Sequence, residues 1–515
     1  CDIKTRELFF DEFESLIKKN ESKTTIVAMH HPLFSNGSHG GQFSFKSQFY
    51  PVNNTFPLPI IGTFANIFRA TSGISTQDLN NSIYREFKNR IITLAQKSEK
   101  VIFVSGHEHN LQYILQDNIP QIVSGSGSKT SAAKVINGSQ FSYGNLGYAK
   151  VNVYKNGSSN VAFYTEIDDK TQLLFKQEIH LPSETKKQYN FSNNFPKTIE
   201  SSIYSTKEIS KKKLYLGLWG KHYRNYYGTK VAAPTVLIDT LFGGLTPIKT
   251  GGGHQSKSLR LADKNGKEYV MRALRKSATQ YLQAVAFKNQ YIEGQYDNTY
   301  TEGLLLDIYT TSHPFAPFTI GKLADAIDIY HSNPILYYVP KQNGLLHFNE
   351  FFGNEMYMIE EHASDGHGDL KSFGYSNELI GTDDLLKNLR KSDDYSVDED
   401  TYIRARLFDM LIGDWDRHED QWRWAKFKEG KKTIYRPVPR DRDQAFSIMA
   451  DGALLGFATS IIPDLRLMKS YSEDLESAKW FNLEPYPLDM ALINQSDKPV
   501  WDAQVKRIVD NLTNE

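Results

Sequence analysis

Three histidines stand where a chain could gather them around a cation. His30 follows the apolar run TIVAM; His107 and His109 follow VIFVS, within SGHEHN. Imidazole is a common ligand for zinc, iron and manganese. The glycine ahead of His107 permits a sharp turn, and two histidines at i and i+2 of an extended segment point to one side. The plainer alternative is three separate, satisfied polar groups. A second concentration of chemistry lies far downstream, in GDWDRHEDQWRW from Gly413 and PRDRDQAF from Pro439. Phosphoryl transfer needs a carboxylate near the attacking group and oxygen ligands for magnesium. Asp416, Gln421, Asp441 and Asp443 offer these. It also needs a cation on the phosphates and amides from a glycine-rich turn. Arg272 or Lys276 of YVMRALRK and Gly251, Gly252 and Gly253 of TGGGHQSKS fit those needs. The alternative here is an Arg/Asp network holding helices together around tryptophans.

These residues need elements to position them. The chain has 515 residues, enough for two to four domains at about 100–200 residues each. It has 60 Lys+Arg against 60 Asp+Glu, so bulk charge predicts neither nucleic-acid nor membrane binding. The one cysteine, Cys1, excludes an internal disulfide and a cysteine-based zinc site. No apolar run reaches the roughly 18 residues of a membrane-spanning helix. The chain opens on CDIKTRELFFDEFESLI, an amphipathic helix over 4–19 already under way, and an upstream start is expected. A short β-rich run ends at Pro32, a long polar loop covers about 35–78, and a helix capped by Asp78 precedes the strand VIFVS. Strand, helix, strand in that order predicts a parallel crossover with ligands at the strands' carboxyl ends. Residues 120–165 alternate like antiparallel strands. The expected division is a first domain over 1–165, a linker over 166–212 and a second domain over 213–515. The latter opens with a hairpin around ADKNGKEY and turns helical at DTYIRARLFDMLIGDW.

AMHHPLFSNGSHGGQ and VSGHEHN resemble the last two metal-binding blocks of the calcineurin-like metallophosphoesterases. The resemblance implies an α/β fold, the C-terminal half of a four-layer β-sandwich. It also implies a phosphoester substrate and a centre of two divalent metals (Fe, Mn or Zn) to which His30, His107 and His109 contribute. His31 falls at a variable position flanking that centre, and His39 in a loop near the substrate. The family's earlier Asp-x-His, Gly-Asp-x-x-Asp and Gly-Asn-His blocks are not found in the 29 residues before His30. DGHGD at Asp365 has the letters of the first of them in the wrong place and reads as chance. The expectation is a fragment with half a bimetallic site, inactive alone.

The downstream blocks resemble atypical kinases, the Hip-type bacterial toxin kinases and the secreted Golgi casein-kinase type, which carry Gly-Asn-x-Asp-Arg-His. That implies a two-lobed α+β domain hinged near YMIEEH at 357–362. Asp416 would act as catalytic carboxylate. The three glycines, Arg272, Lys276, Gln421, Asp441 and Asp443 would lie around Mg-ATP. Asp414 replaces the Asn of that stretch, Gln421 is a poorer metal ligand than Asn or Glu, and the phosphate-binding cation is ambiguous. The combined expectation is metal-dependent phosphoester hydrolysis by a parent protein fused to a nucleotide-binding module. The alternatives are an ATP-dependent kinase on a vestigial esterase scaffold, or a non-catalytic binding protein. Large bacterial envelope proteins join two such modules, which implies an extracytoplasmic location.

Overall fold

The computed structural model describes residues 3, 5–21, 23–43, 49, 78–182, 190–251 and 255–512. The protein is mixed α/β and forms two units, Cys1–Gln188 with Tyr281–Gln295, and Tyr189–Gln280 with Tyr296–Glu515. Cys1 and most of the loop expected over 35–78 lie outside the described residues.

In the first unit, α1 (Arg6–Lys19) begins where the Thr5 hydroxyl accepts the Leu8 N–H, a side-chain cap. It is followed by β1 (Thr25–Met29), α2 (Ser82–Ala95) and β2 (Val101–Ser105). The cap of α2 is Asn81, which accepts from the Ile83 and Tyr84 amides. Asp78, the residue expected there, lies too early and instead bonds His39 at 2.9 Å. The next strands are β3 (Leu111–Gln116), β4 (Ile119–Ser124) and β5 (Ser139–Tyr143). Together they form one sheet in the order β1-β2-β4-β3-β5. β1 pairs parallel with β2, and Met29 stands opposite Ser105. A separate antiparallel sheet holds β6 (Tyr148–Val153), β7 (Ser159–Ile167) and β8 (Lys170–His180).

Period two along β2 organises the core. Val101 and Phe103 pack with Phe10 and Ile17 of α1 and Ile91 and Leu94 of α2. Ile102 faces the other way, onto Val161 and Phe163 of β7. Helices, five-stranded sheet and three-stranded sheet thus make three layers among the described residues.

Glu14 ties α1 to the segment before β2, with its carboxylate 2.6 Å from Lys97 Nζ and 2.9 Å from Lys18 Nζ. Burial pushes Glu14 up, but the two ammonium groups outweigh it and hold the carboxyl at about 2, below its ordinary 4.5. Burial also lowers Lys97, against the pull of Glu14, so the carboxylate gains more from the pair than the ammonium does. A depressed carboxyl stabilises the fold above its unfolded pKa and loses that contribution as pH falls through the folded one. The urea midpoint of the first unit, followed by far-UV circular dichroism, should therefore drop between about pH 4.5 and 2. Glu14→Gln should flatten that drop; an identical slope in variant and wild type would show that Glu14 is not responsible.

The second unit opens with β9 (Thr198–Ser201) paired to β10 (Val231–Pro234). β8 and β9 both fall within 166–212. A five-stranded antiparallel sheet follows, in the order β11-β12-β13-β15-β14. Its strands are β11 (Thr246–Thr250), β12 (Ser256–Ala262), β13 (Glu268–Lys276), β14 (Ile335–Val339) and β15 (Glu355–Glu361). β12 and β13 form the expected hairpin, which turns at Gly266 with φ 84°.

A second sheet has the order β16-β18-β19-β17, from β16 (Leu379–Gly381), β17 (Tyr395–Val397), β18 (Trp422–Glu429) and β19 (Lys432–Pro439). Beside it run α3 (Glu399–Ile412) and α4 (Lys498–Asn511). α3 is capped by Asp398 and ended by Gly413 at φ 67°, a backbone position that favours glycine. Tyr402, Ile403 and Phe408 of α3 bury against Trp422, Trp424 and Ile508. All six tryptophans of the chain lie in this unit, between Trp219 and Trp501. Among the described residues no helix is long and apolar enough to cross a membrane.

Candidate functional site

The parallel register of β1 and β2 decides what happens at the sheet's carboxyl edge. With Met29 opposite Ser105, His30 and the Gly106–His107 turn emerge side by side. His30 Nε2 lies 3.1 Å from His107 Nδ1. The His31 ring comes within 4.0 Å of the His107 ring, and the His39 ring within 4.2 Å, centroid to centroid. Among the described residues one group of three could share a cation: His30, His31 and His107, whose nearest ring nitrogens all lie within 4.8 Å. His107 Nε2 is buried with no hydrogen-bond partner. Burial and the neighbouring rings, His39 first among them, hold His107 down at about 4, so its nitrogens are free of extra protons at neutral pH.

His31, read as a flanking residue, enters this group, while His109 is exposed and lies outside it. The reason is backbone geometry. The segment after β2 is not extended; His107 itself takes the left-handed conformation, φ 62°. The i, i+2 rule for an extended chain therefore does not apply. Histidine is among the residues that tolerate this conformation. Glu108, between the two imidazoles, is buried and turned inward. It accepts from Ser35 Oγ at 2.7 Å and from the His39 amide at 2.9 Å, and so shapes the loop beside the histidines.

In the second unit, β13 supplies the cations. Met271 and Ala273 are buried in the core, so alternation sends Arg272 to the opposite face. After β19 the chain runs Arg440-Asp441-Arg442-Asp443, with Asp441 at φ 54°. Asp441 pairs with Arg272, and Asp443 with Lys276 at 2.6 Å. Arg442 points the other way, 2.8 Å from Asp409 on α3. Arg272 and Lys276 therefore each hold a carboxylate of this segment, while the third cation of β13, Arg275, pairs with Glu208.

Gly413 ends α3 and launches Asp414-Trp415-Asp416-Arg417-His418. Arg417 is fully buried; it donates to the carbonyls of Arg440 at 2.7 Å and Gln421 at 3.1 Å and stacks on Trp422. It thereby fixes the loop against the end of β19. Asp416 is partly exposed and 3.8 Å from His418. Burial, followed by the charge of Asp443, raises its carboxyl to about 6 against the pull of His418 and Arg417. Asp414 is fully buried, and burial pushes it far up despite Arg417. Burial thus favours its uncharged form. The Gln421 amide meets His418 at 3.3 Å.

A cavity of about 210 Å3 lies between the sheet and the 440–441 segment. Its roof is Gly251, Ser258 and Arg272; its far wall is Glu360 to Ala363; its floor is Arg440 and Asp441. Gly251 packs so closely that a Cβ there would meet Ser258 Oγ at 2.0 Å. Gly252 and Gly253 lie outside the described residues. Gln421 does not line this cavity. Glu360 does; it is half-buried, and desolvation raises it to about 7 against the pull of Arg272. Sequence reasoning passed over Glu360, Arg260 and Arg440. The EE pair at the end of β15 and the alternating signs of PRDRD were the available signals. Asp365 accepts the Leu379 amide at 2.9 Å, a loop-fixing role.

No family model and no curated protein matches the chain. Among solved structures it is similar to a Rio2 kinase from Chaetomium thermophilum, described as an ADP/Mg2+-phosphoaspartate complex. The identity is 11% and the TM-score 0.23, over 51% of this chain and 71% of that one. Likeness at this level does not define a fold.

Proposed function

We propose that the second unit binds a nucleoside triphosphate with a divalent cation and transfers its terminal phosphoryl group to an acceptor hydroxyl. The observation that carries this is the meeting of Arg272 and Lys276 from one strand with Asp441 and Asp443, beside a raised carboxylate, Asp416. The donor set fits magnesium, which takes oxygen ligands and often one or two carboxylates. Asp441 and Asp443 would hold it, and the bound ion would offset charge on the phosphates. Arg272 and Lys276, released from those carboxylates, would bind phosphate oxygens. Asp416 would take the acceptor's proton as the new O–P bond forms and the bond to the donor's bridging oxygen breaks. Mg-ATP should raise the unfolding midpoint of the wild type, read by tryptophan fluorescence, and Asp441→Ala should abolish the shift. No shift in the wild type would dispose of nucleotide binding.

One observation favours a second reading, metal-dependent phosphoester hydrolysis by the parent of the first unit. His30, His31 and His107 bring three neutral-capable nitrogens together, one edge of His107 buried and unpaired. Bound zinc, iron or manganese should fall to background in His107→Ala. Unchanged metal content would remove His107 from any such site.

A further inference from the structure

The second unit's cavity also carries cations that phosphoryl transfer, as proposed above, does not use. Arg260 of β12 and Arg440 after β19 line it, beside the imidazole of His362 after β15. Arg423 of β18 stands close behind: its guanidinium and that of Arg440 both donate to the Asp420 carbonyl, at 3.4 and 2.9 Å. Arg260 is held by Glu268 at 3.0 Å. Neither Arg423 nor Arg440 has a carboxylate within ion-pair distance among the described residues. Arg440 Nε is buried and has no hydrogen-bond partner. A buried guanidinium N–H without a hydrogen bond is costly unless something supplies one.

The charges act on one another. Burial, then Arg260, Arg440 and Arg423, drive His362 down to about 2. Burial and Arg423 lower Arg440 to about 10. The opposing carboxylates are Glu360 and Asp441, both beside Arg272, and Glu361 on the same wall. The apolar side chains of the cavity are Val270 and Ala363. A flat heterocycle buried in a pocket seeks mostly apolar walls, and this end offers few.

We infer that Arg440, with Arg423 and Arg260, forms an oxyanion subsite at the β15 end of the cavity, which takes a second phosphate or carboxylate group of the substrate. Planar guanidinium forks suit both groups. The assignment of that group to a substrate rests on the phosphoryl-transfer reading; the subsite itself does not.

Tripolyphosphate and citrate, titrated calorimetrically into the full chain in magnesium-free buffer, separate phosphate from carboxylate. Either should bind the wild type. Arg440→Gln should weaken that binding about tenfold or more, and Glu361→Gln, which takes a negative charge off the wall, should tighten it. Arg423→Gln, whose side chain bonds only backbone carbonyls, gives the same loss if Arg440→Gln does not fold. No binding of either anion by the wild type, or wild-type affinity in the folded arginine variants, overturns the subsite. Mg-ATP stabilisation without anion binding would overturn the subsite alone; anion binding without Mg-ATP stabilisation would overturn only the transfer reading.

Discussion

Asp416→Asn is expected to lower phosphoryl transfer by about 10²–10⁴-fold while Mg-ATP still stabilises the protein. The carboxylate is partly exposed at the rim of a buried charge cluster, and burial with Asp443 raises it to about 6. A base works best when its pKa lies near the working pH, and this shift moves Asp416 toward it. Asparagine keeps the shape and the contacts but cannot accept a proton. The loss should thus fall on the chemical step and not on nucleotide binding. Transfer of labelled phosphate under single-turnover conditions checks this. A rate within about threefold of wild type would show that Asp416 is not the proton acceptor.

Asp409→Asn should destabilise the second unit by about 3–5 kcal/mol. Asp409 is fully buried, 2.7 Å from Arg406, 2.8 Å from Arg442 and 3.6 Å from Arg417. Three guanidinium groups converge on one carboxylate; Arg406 also meets Asp489 and the Asn482 amide oxygen. Removing the central negative charge leaves Arg442 buried without its carboxylate partner and Arg406 and Arg417 with one fewer, which costs more than the pair contributes while intact. Asp414→Asn, a few residues on, should cost less than about 1 kcal/mol, because burial already favours the uncharged form of its carboxyl. Urea unfolding followed by tryptophan fluorescence reports on this unit alone, since every tryptophan lies within it. Equal effects of the two substitutions would refute this distinction between a charged and a neutral buried acid.

The parallel β1–β2 pair and the β12–β13 hairpin were legible because local pattern decides them: strand, helix, strand in one case, two strand-like runs about the polar ADKNGKEY stretch in the other. The density of Arg and Asp around 413–443 was legible too, and it serves both expectations at once. Arg442 and Asp409 hold α3, while Asp441 and Asp443 face β13. What stayed hidden depended on conformation or on register. Nothing in SGHEHN announces a left-handed His107, and that one dihedral exchanges His109 for His31. β8 lies at the edge of its sheet and is largely exposed, so its polar residues read as linker. Arg260, Arg423 and Arg440 span 180 residues of chain, and only the tertiary fold brings Arg260 and Arg440 to one cavity, with Arg423 close behind.

The chain enters the first unit, leaves it, and contributes Tyr281–Gln295 to it again before returning to the second. No single cleavage therefore yields either part whole. A truncation ending near residue 188 discards fifteen residues of the first unit, and one beginning there carries them along as an orphan. Dissection of the two units calls for point substitutions in the intact polypeptide, or for a circularly rearranged gene that rejoins the excised stretch to its own half.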